Sequence, residues 1–188
     1  EDVAYVNQTR PDWCGFVIDC PKSRRNVSGE QAAALRAELA PGIVPVGVFV
    51  DRPVDQVAGL LLDGTIAVAQ LHGGEDEGYL AALRDAAPGC VLWRAFRVRS
   101  REDLVSAAAS SADLVVLDNG AGTGQVFDWS LLKGFPRPYL LAGGLTPDNL
   151  PQAAALGPFG VDLSSGVETD GKKDEAKILA AVAAARRV

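Results

Sequence analysis

Apolar residues along this chain gather into short unbroken runs, at 14–19, 43–50, 65–71, 91–96, 114–118, 139–142 and 161–163. A run without polar alternation predicts a strand covered on both faces, as in a parallel sheet. The segments between the runs carry helical period and recognisable starts. Ser28 with Gln31 forms a capping box ahead of "QAAALRAEL", Ser100 precedes "REDLVSAAAS", and Thr146 with Pro147 opens "PDNLPQAAAL". The last helix is read as "KDEAKILAAVAAARR", whose closing arginines suit a helix C-terminus. "EDVAYVN" predicts a helix that leads directly into the first run.

Strand and helix thus alternate at roughly 25 residues per unit, which leaves a doubly wound sheet or a (β/α)8 barrel. The early turn "DCPKSRRN" has no glycine, whereas glycine-rich turns follow the last three runs. Barrels build phosphate sites after strands 7 and 8, so the expected fold class is α/β, a (β/α)8 TIM barrel in a single domain over 1–188. A barrel needs an eighth strand. The sequence opens at Glu1 in a helix and contains no methionine, so about ten further residues, carrying the first strand, are expected upstream.

Composition narrows the partners. With 48% apolar and 22% charged residues, 188 residues bury one sizeable core. The net charge of −6, without a basic block, speaks against a nucleic-acid or anionic-membrane surface, so a bound anion must be held by local geometry. Cys14, Cys20 and Cys90 are odd in number and stand in no metal-ligand spacing, and His72 is the single histidine. Reduced thiols in a cytoplasmic protein with no metal are expected. No apolar run approaches the roughly 18 residues of a membrane span.

Three late turns share a composition suited to a phosphate. "LDNGAGTGQVFDW" carries Gly122, Thr123 and Gly124, "LAGGLTPDN" carries Gly143 and Gly144, and "DLSSGVE" carries Ser164, Ser165 and Gly166. Small side chains leave backbone N–H groups bare, and the hydroxyls add donors. Singly each is an ordinary tight turn; at neighbouring barrel positions the three point to one phosphate monoester. Asp118 closes its run at the strand end where barrel active sites lie, placing it either as a turn cap or as a general acid. Arg25, with Arg24 as its rival, follows the first run and is either a solvated charge or a bidentate partner for a ligand carboxylate. Gln70 and His72 are assigned to the pocket wall. Trp13, Trp93 and Trp129 read as core or helix-cover aromatics, Cys14 and Cys90 as core, and Cys20 as a rim thiol without a base.

Taken in order, "DWCGFVIDCPKSRRNVS", "VGVFVD", "QLHGGE", "LDNGAGTGQVFDW", "LAGGLTPDN" and "GVDLSSGVETDGKKD" resemble the phosphoribosylanthranilate isomerase family of tryptophan biosynthesis over essentially all 188 residues. The resemblance implies a cofactor-free Amadori rearrangement of N-(5-phosphoribosyl)anthranilate to 1-(o-carboxyphenylamino)-1-deoxyribulose 5-phosphate. It implies Asp118 as the acid that protonates the furanose oxygen, Arg25 as the arginine that orients the anthranilate carboxylate, and Asp162 as a site-lining residue. The family's base, a cysteine ending the first strand in "K-I-C-G", has no counterpart among Cys14, Cys20 and Cys90. A monomer or homodimer is expected, with fusion to or association with other tryptophan-pathway enzymes compatible with it.

Two rival readings differ in observable ways. A metal-dependent epimerase needs several histidine and carboxylate ligands, against which the single histidine stands. A non-catalytic phosphate-binding barrel, or a fragment lacking its base, would bind product without turnover.

Overall fold

The computed structural model describes residues 2–118 and 127–186. In chain order these form α1 (Asp2–Thr9), β1 (Trp13–Ile18), β2 (Asn26–Val27), α2 (Gly29–Glu38), β3 (Val44–Phe49), α3 (Val54–Leu62), β4 (Val68–Leu71), α4 (Glu77–Ala86) and β5 (Val91–Arg97). There follow α5 (Arg101–Ala109), β6 (Leu114–Asp118), β7 (Tyr139–Leu141), α6 (Leu150–Ala154), β8 (Gly160–Val161), β9 (Glu168–Thr169), β10 (Lys172–Lys173) and α7 (Glu175–Ala185). Short 3-10 turns occupy Trp129–Leu132 and Ser165–Val167.

The chain divides into two compact units, one of residues 10–95 with 111–113, the other of the remainder. In the first unit, parallel pairing joins β2 to β1, β1 to β3, β3 to β4 and β4 to β5. Every residue of β4 is buried, as the unbroken run demands. Ile18, Phe49, Ile66, Leu71, Leu80, Leu83 and Leu92 fill the interior. Trp13 and Trp93 meet edge to face at 5.4 Å, which accounts for both as packing residues. Ser28 and Gln31 close their capping box at α2.

In the second unit, β6 pairs with β7 and β7 with β8, again in parallel. Leu117, Leu141, Leu145, Leu150, Ala153, Ile178 and Ala181 form the core, with Trp129 packed against it. Ser100 and Asp103 form a second capping box, at α5.

Four of the boundaries that differ from the sequence reading do so for a clear local reason. The run at 65–71 becomes strand only at Val68, because the Thr65 N–H is taken by the Asp63 carboxylate and the Ile66 N–H by the Leu60 carbonyl. The helix expected from Thr146 begins at Leu150, because Asn149 folds the preceding residues into a turn with its own side chain. Lys173, expected in the last helix, lies in β10, and Asp174 caps α7 by accepting the Lys177 N–H. The run at 161–163 yields the strand pair Gly160–Val161 followed by one further bond, from the Asp162 N–H to the Leu141 carbonyl.

The β9–β10 hairpin is an element the sequence reading lacked. Its two-residue loop has Asp170 at φ 50° and Gly171 at φ 79°, both left-handed, as a primed hairpin turn requires.

Candidate active site

Asp118 is the last residue of β6 and is half-buried, and its backbone carbonyl accepts the Val98 N–H at 2.8 Å. The strand fixes where the carboxylate starts, and its place at the strand's C-terminal end matches the position barrel enzymes use for chemistry. Asp162 stands just beyond β8, its N–H continuing the ladder to Leu141 at 2.9 Å.

The turn after β7 is shaped by Gly143 and Gly144, at φ 83° and 71°, where side chains would be strained. Asn149 braces it. Its amide donates to the Gly144 carbonyl at 2.9 Å while its oxygen accepts the Thr146 N–H at 2.9 Å. The turn after β8, Ser164 to Gly166, packs directly on this one: a Cβ at Gly166 would lie 1.8 Å from the Leu145 carbonyl oxygen. Two of the three expected phosphate turns are therefore in contact. Gly122, Thr123 and Gly124 lie outside the described residues.

The Ser164–Gly166 turn is held from its other side by the hairpin. Lys173 Nζ donates to the Ser164 carbonyl at 3.0 Å and lies 3.2 Å from Glu168 Oε1. Lys177 Nζ donates to the Glu168 carbonyl at 2.7 Å. The Thr169 hydroxyl donates to Asp174 at 2.6 Å, and this bond, followed by the Lys177 N–H, holds the Asp174 carboxyl below its ordinary range.

The other candidates belong to the unit of residues 10–95. Arg25 is half-buried in the loop between β1 and β2, with its N–H on the Ser23 hydroxyl at 3.2 Å, while Arg24 is exposed. Gln70 is buried in β4 with its amide nitrogen 3.2 Å from His72 Nδ1. An amide nitrogen only donates, so in this pairing Nδ1 is the acceptor. The His72 N–H bonds the Phe49 carbonyl at 2.8 Å.

Sequence reasoning passed over Glu75. Its carboxylate is buried and accepts the Asp51 N–H and the Gly73 N–H, both at 2.7 Å, while Asp51 in return accepts the Gly74 N–H at 2.6 Å. The Tyr79 hydroxyl donates to the Arg52 carbonyl at 2.8 Å, and burial, then the Glu75 charge, pushes its pKa up to about 12. Glu75 follows a Gly-Gly pair, a signal for a carboxylate turned back onto bare N–H groups. Among the described residues, no group of three or more His, Cys, Asp or Glu could hold a metal ion. No described helix is long and apolar enough to cross a membrane.

The family model for N-(5'-phosphoribosyl)anthranilate isomerase matches residues 4–184. The chain belongs to this family. An N-(5'-phosphoribosyl)anthranilate isomerase from Endomicrobium trichonymphae is 43% identical over 97% of this chain and 91% of its own length. Among solved structures, monomers of the dimeric phosphoribosylanthranilate isomerase from Thermotoga maritima superpose with a TM-score of 0.85 at 30% identity, over 100% of this chain and 93% of theirs. A phosphoribosyl anthranilate isomerase in complex with reduced 1-(o-carboxyphenylamino)-1-deoxyribulose 5-phosphate gives the same score and identity, over 100% of this chain and 93% of its own. The fold is the α/β barrel class expected from the sequence, and the chain is an enzyme of the phosphoribosylanthranilate isomerase type.

Proposed function

We propose that this chain carries out the family's isomerisation with Asp118 as general acid and the turns after β7 and β8 as the phosphate site. Asp118 protonates the furanose ring oxygen of N-(5'-phosphoribosyl)anthranilate, the C1–O bond breaks, and an open-chain C1=N iminium forms. Loss of the C2 proton then gives an enaminol, which tautomerises to the ketone by gaining a proton at C1 and losing the one on the C2 hydroxyl. Two protons enter, at the ring oxygen and at C1, and two leave, from C2 and its hydroxyl, so the sum is an isomerisation that needs no redox partner.

The observation that carries this reading is the contact between Leu145 and Gly166, which joins Gly143 and Gly144 to Ser164, Ser165 and Gly166 in the same compact unit as Asp118. Two small-residue turns pressed together offer several N–H groups to one dianion, which a single turn cannot. Gly122, Thr123 and Gly124 complete the set in this reading. In this reading Arg25 is the bidentate partner of the anthranilate carboxylate, Gln70 and His72 are wall residues, and Asp162 is a site-lining residue. None of the cysteines is assigned the base. Cys14 is inside β1, Cys90 precedes β5, and the Cys20 N–H donates to the Asn26 side chain. The enzyme works in the cytoplasm, which suits three cysteines outside any disulfide, as a monomer or homodimer and compatible with association with other tryptophan-pathway enzymes.

Asp118→Asn tests the acid. Its kcat should fall by about 100-fold or more, the usual contribution of a general acid, while affinity for reduced 1-(o-carboxyphenylamino)-1-deoxyribulose 5-phosphate stays within a few fold. Equal losses in turnover and affinity would make Asp118 a structural cap instead.

A further inference from the structure

We propose that Lys173 is a positioning residue for the phosphate turn: by holding the Ser164 carbonyl, its ammonium aims the Ser165 N–H at the ligand. The proposal rests on the reading that Ser164 to Gly166 binds the substrate phosphate. The Ser164 carbonyl and the Ser165 N–H belong to one planar trans peptide, so they point in opposite directions. Lys173 Nζ sits 3.0 Å from that carbonyl oxygen, and fixing the oxygen fixes the opposed N–H. A cation on the oxygen also draws electron density from the peptide, which makes the N–H a stronger donor to a dianion.

The hairpin supplies Lys173 to this place by sequence-encoded steps. Asp170 and Gly171 form the left-handed turn, which sets Lys173 opposite Glu168 in the β9–β10 register. Glu168, whose side chain is only 4% exposed, holds the ammonium at 3.2 Å, while Lys177 Nζ and the Asp174 N–H tie the hairpin to α7 and to Val167. Gly166, pressed against Leu145, fixes the opposite end of the turn. An ion pair to a carboxylate this buried gains little over apolar packing, so stability alone gives weak grounds for placing a lysine here. A second bond to a carbonyl of the ligand-binding turn gives a specific one.

The test uses inorganic phosphate as a competitive inhibitor of the isomerase, with KM, kcat and melting temperature measured in parallel for Lys173→Met, Lys173→Arg, Glu168→Gln and the double variant K173M/E168Q. Lys173→Met should weaken phosphate inhibition and raise KM by roughly tenfold, the scale of one charge-assisted hydrogen bond, with kcat changed far less. Lys173→Arg should recover most of that loss. Glu168→Gln should lower the melting temperature yet keep phosphate affinity within about twofold, because the bond to Ser164 survives. The double variant removes the stranded carboxylate, so it supplies the phosphate measurement if Lys173→Met folds poorly. Wild-type affinity in both Lys173→Met and the double variant overturns the positioning role alone. Equal loss of affinity in Glu168→Gln overturns it too, by assigning the effect to the fold of the hairpin. A wild-type enzyme that phosphate does not inhibit competitively overturns the phosphate turn itself, and the proposal with it.

Discussion

The carbonyl oxygen of Leu145 stands where Gly166 would carry a side chain, 1.8 Å from the position of a Cβ. The obstacle is backbone on both sides, so no rotamer change relieves it. Gly166→Ala should therefore separate the turns after β7 and β8, costing about 1–3 kcal/mol as overpacking does. Chemical denaturation measures the stability, and phosphate inhibition of the isomerase should weaken in the same variant. Normal stability in Gly166→Ala would contradict the contact.

Glu75 offers a second test, remote from the proposed phosphate turns in sequence. Glu75→Gln replaces one oxygen of a carboxylate that receives two N–H groups with an amide nitrogen that must itself donate. The loss should be about 2 kcal/mol in urea unfolding, the range for a hydrogen bond to a charged acceptor left unmade. Amide hydrogen exchange at Asp51 or Gly73 should quicken, and protection unchanged at both would refute the role.

Tyr79 predicts an alkaline limb. Its pKa rises from 10.0 to about 12 on folding, chiefly through burial, so the folded state binds the phenolic proton more tightly than the unfolded chain. Its contribution is complete below pH 10 and is lost as pH climbs toward about 12, where stability must fall. Tyr79→Phe removes this proton and should flatten that limb, at a cost near neutral pH of about 1 kcal/mol for the bond to the Arg52 carbonyl. Melting curves of both proteins between pH 9 and 12 decide it; parallel slopes would be the wrong result.

Gly171 holds φ at 79°, and Gly171→Ala should cost about 1–2 kcal/mol from the left-handed backbone alone. Since the turn sets the register of Lys173, loosened phosphate inhibition should accompany the lowered melting temperature. A variant as stable as wild type would show that the hairpin tolerates another turn.

The strand pattern was readable because parallel strands buried on both faces leave unbroken apolar runs, as at Leu114–Asp118. Caps were equally plain: Ser28 with Gln31 is a local signal and closes locally. Asp118 and the Gly143 to Gly144 turn could be placed at strand ends for the same reason. Glu75 and Lys173 were not visible, since each acts on backbone groups 24 and 9 residues away, at Asp51 and Ser164, a relation no periodicity encodes. The hairpin had a signal in Asp170–Gly171, but two-residue strands are too short to register as runs. The helix after β7 started late because Asn149 bonds both Gly144 and Thr146, a choice that Pro147 outweighed in the sequence.

The reciprocal bonds between Asp51 and the Gly73 to Glu75 segment make the loops after β3 and β4 a single exchangeable module. Barrel enzymes diversify by swapping such loops one at a time, and here that freedom is curtailed. A graft at either loop that omits its partner would strand a buried carboxylate or leave N–H groups without acceptors, so new specificities in this half of the chain should arise by paired transplantation.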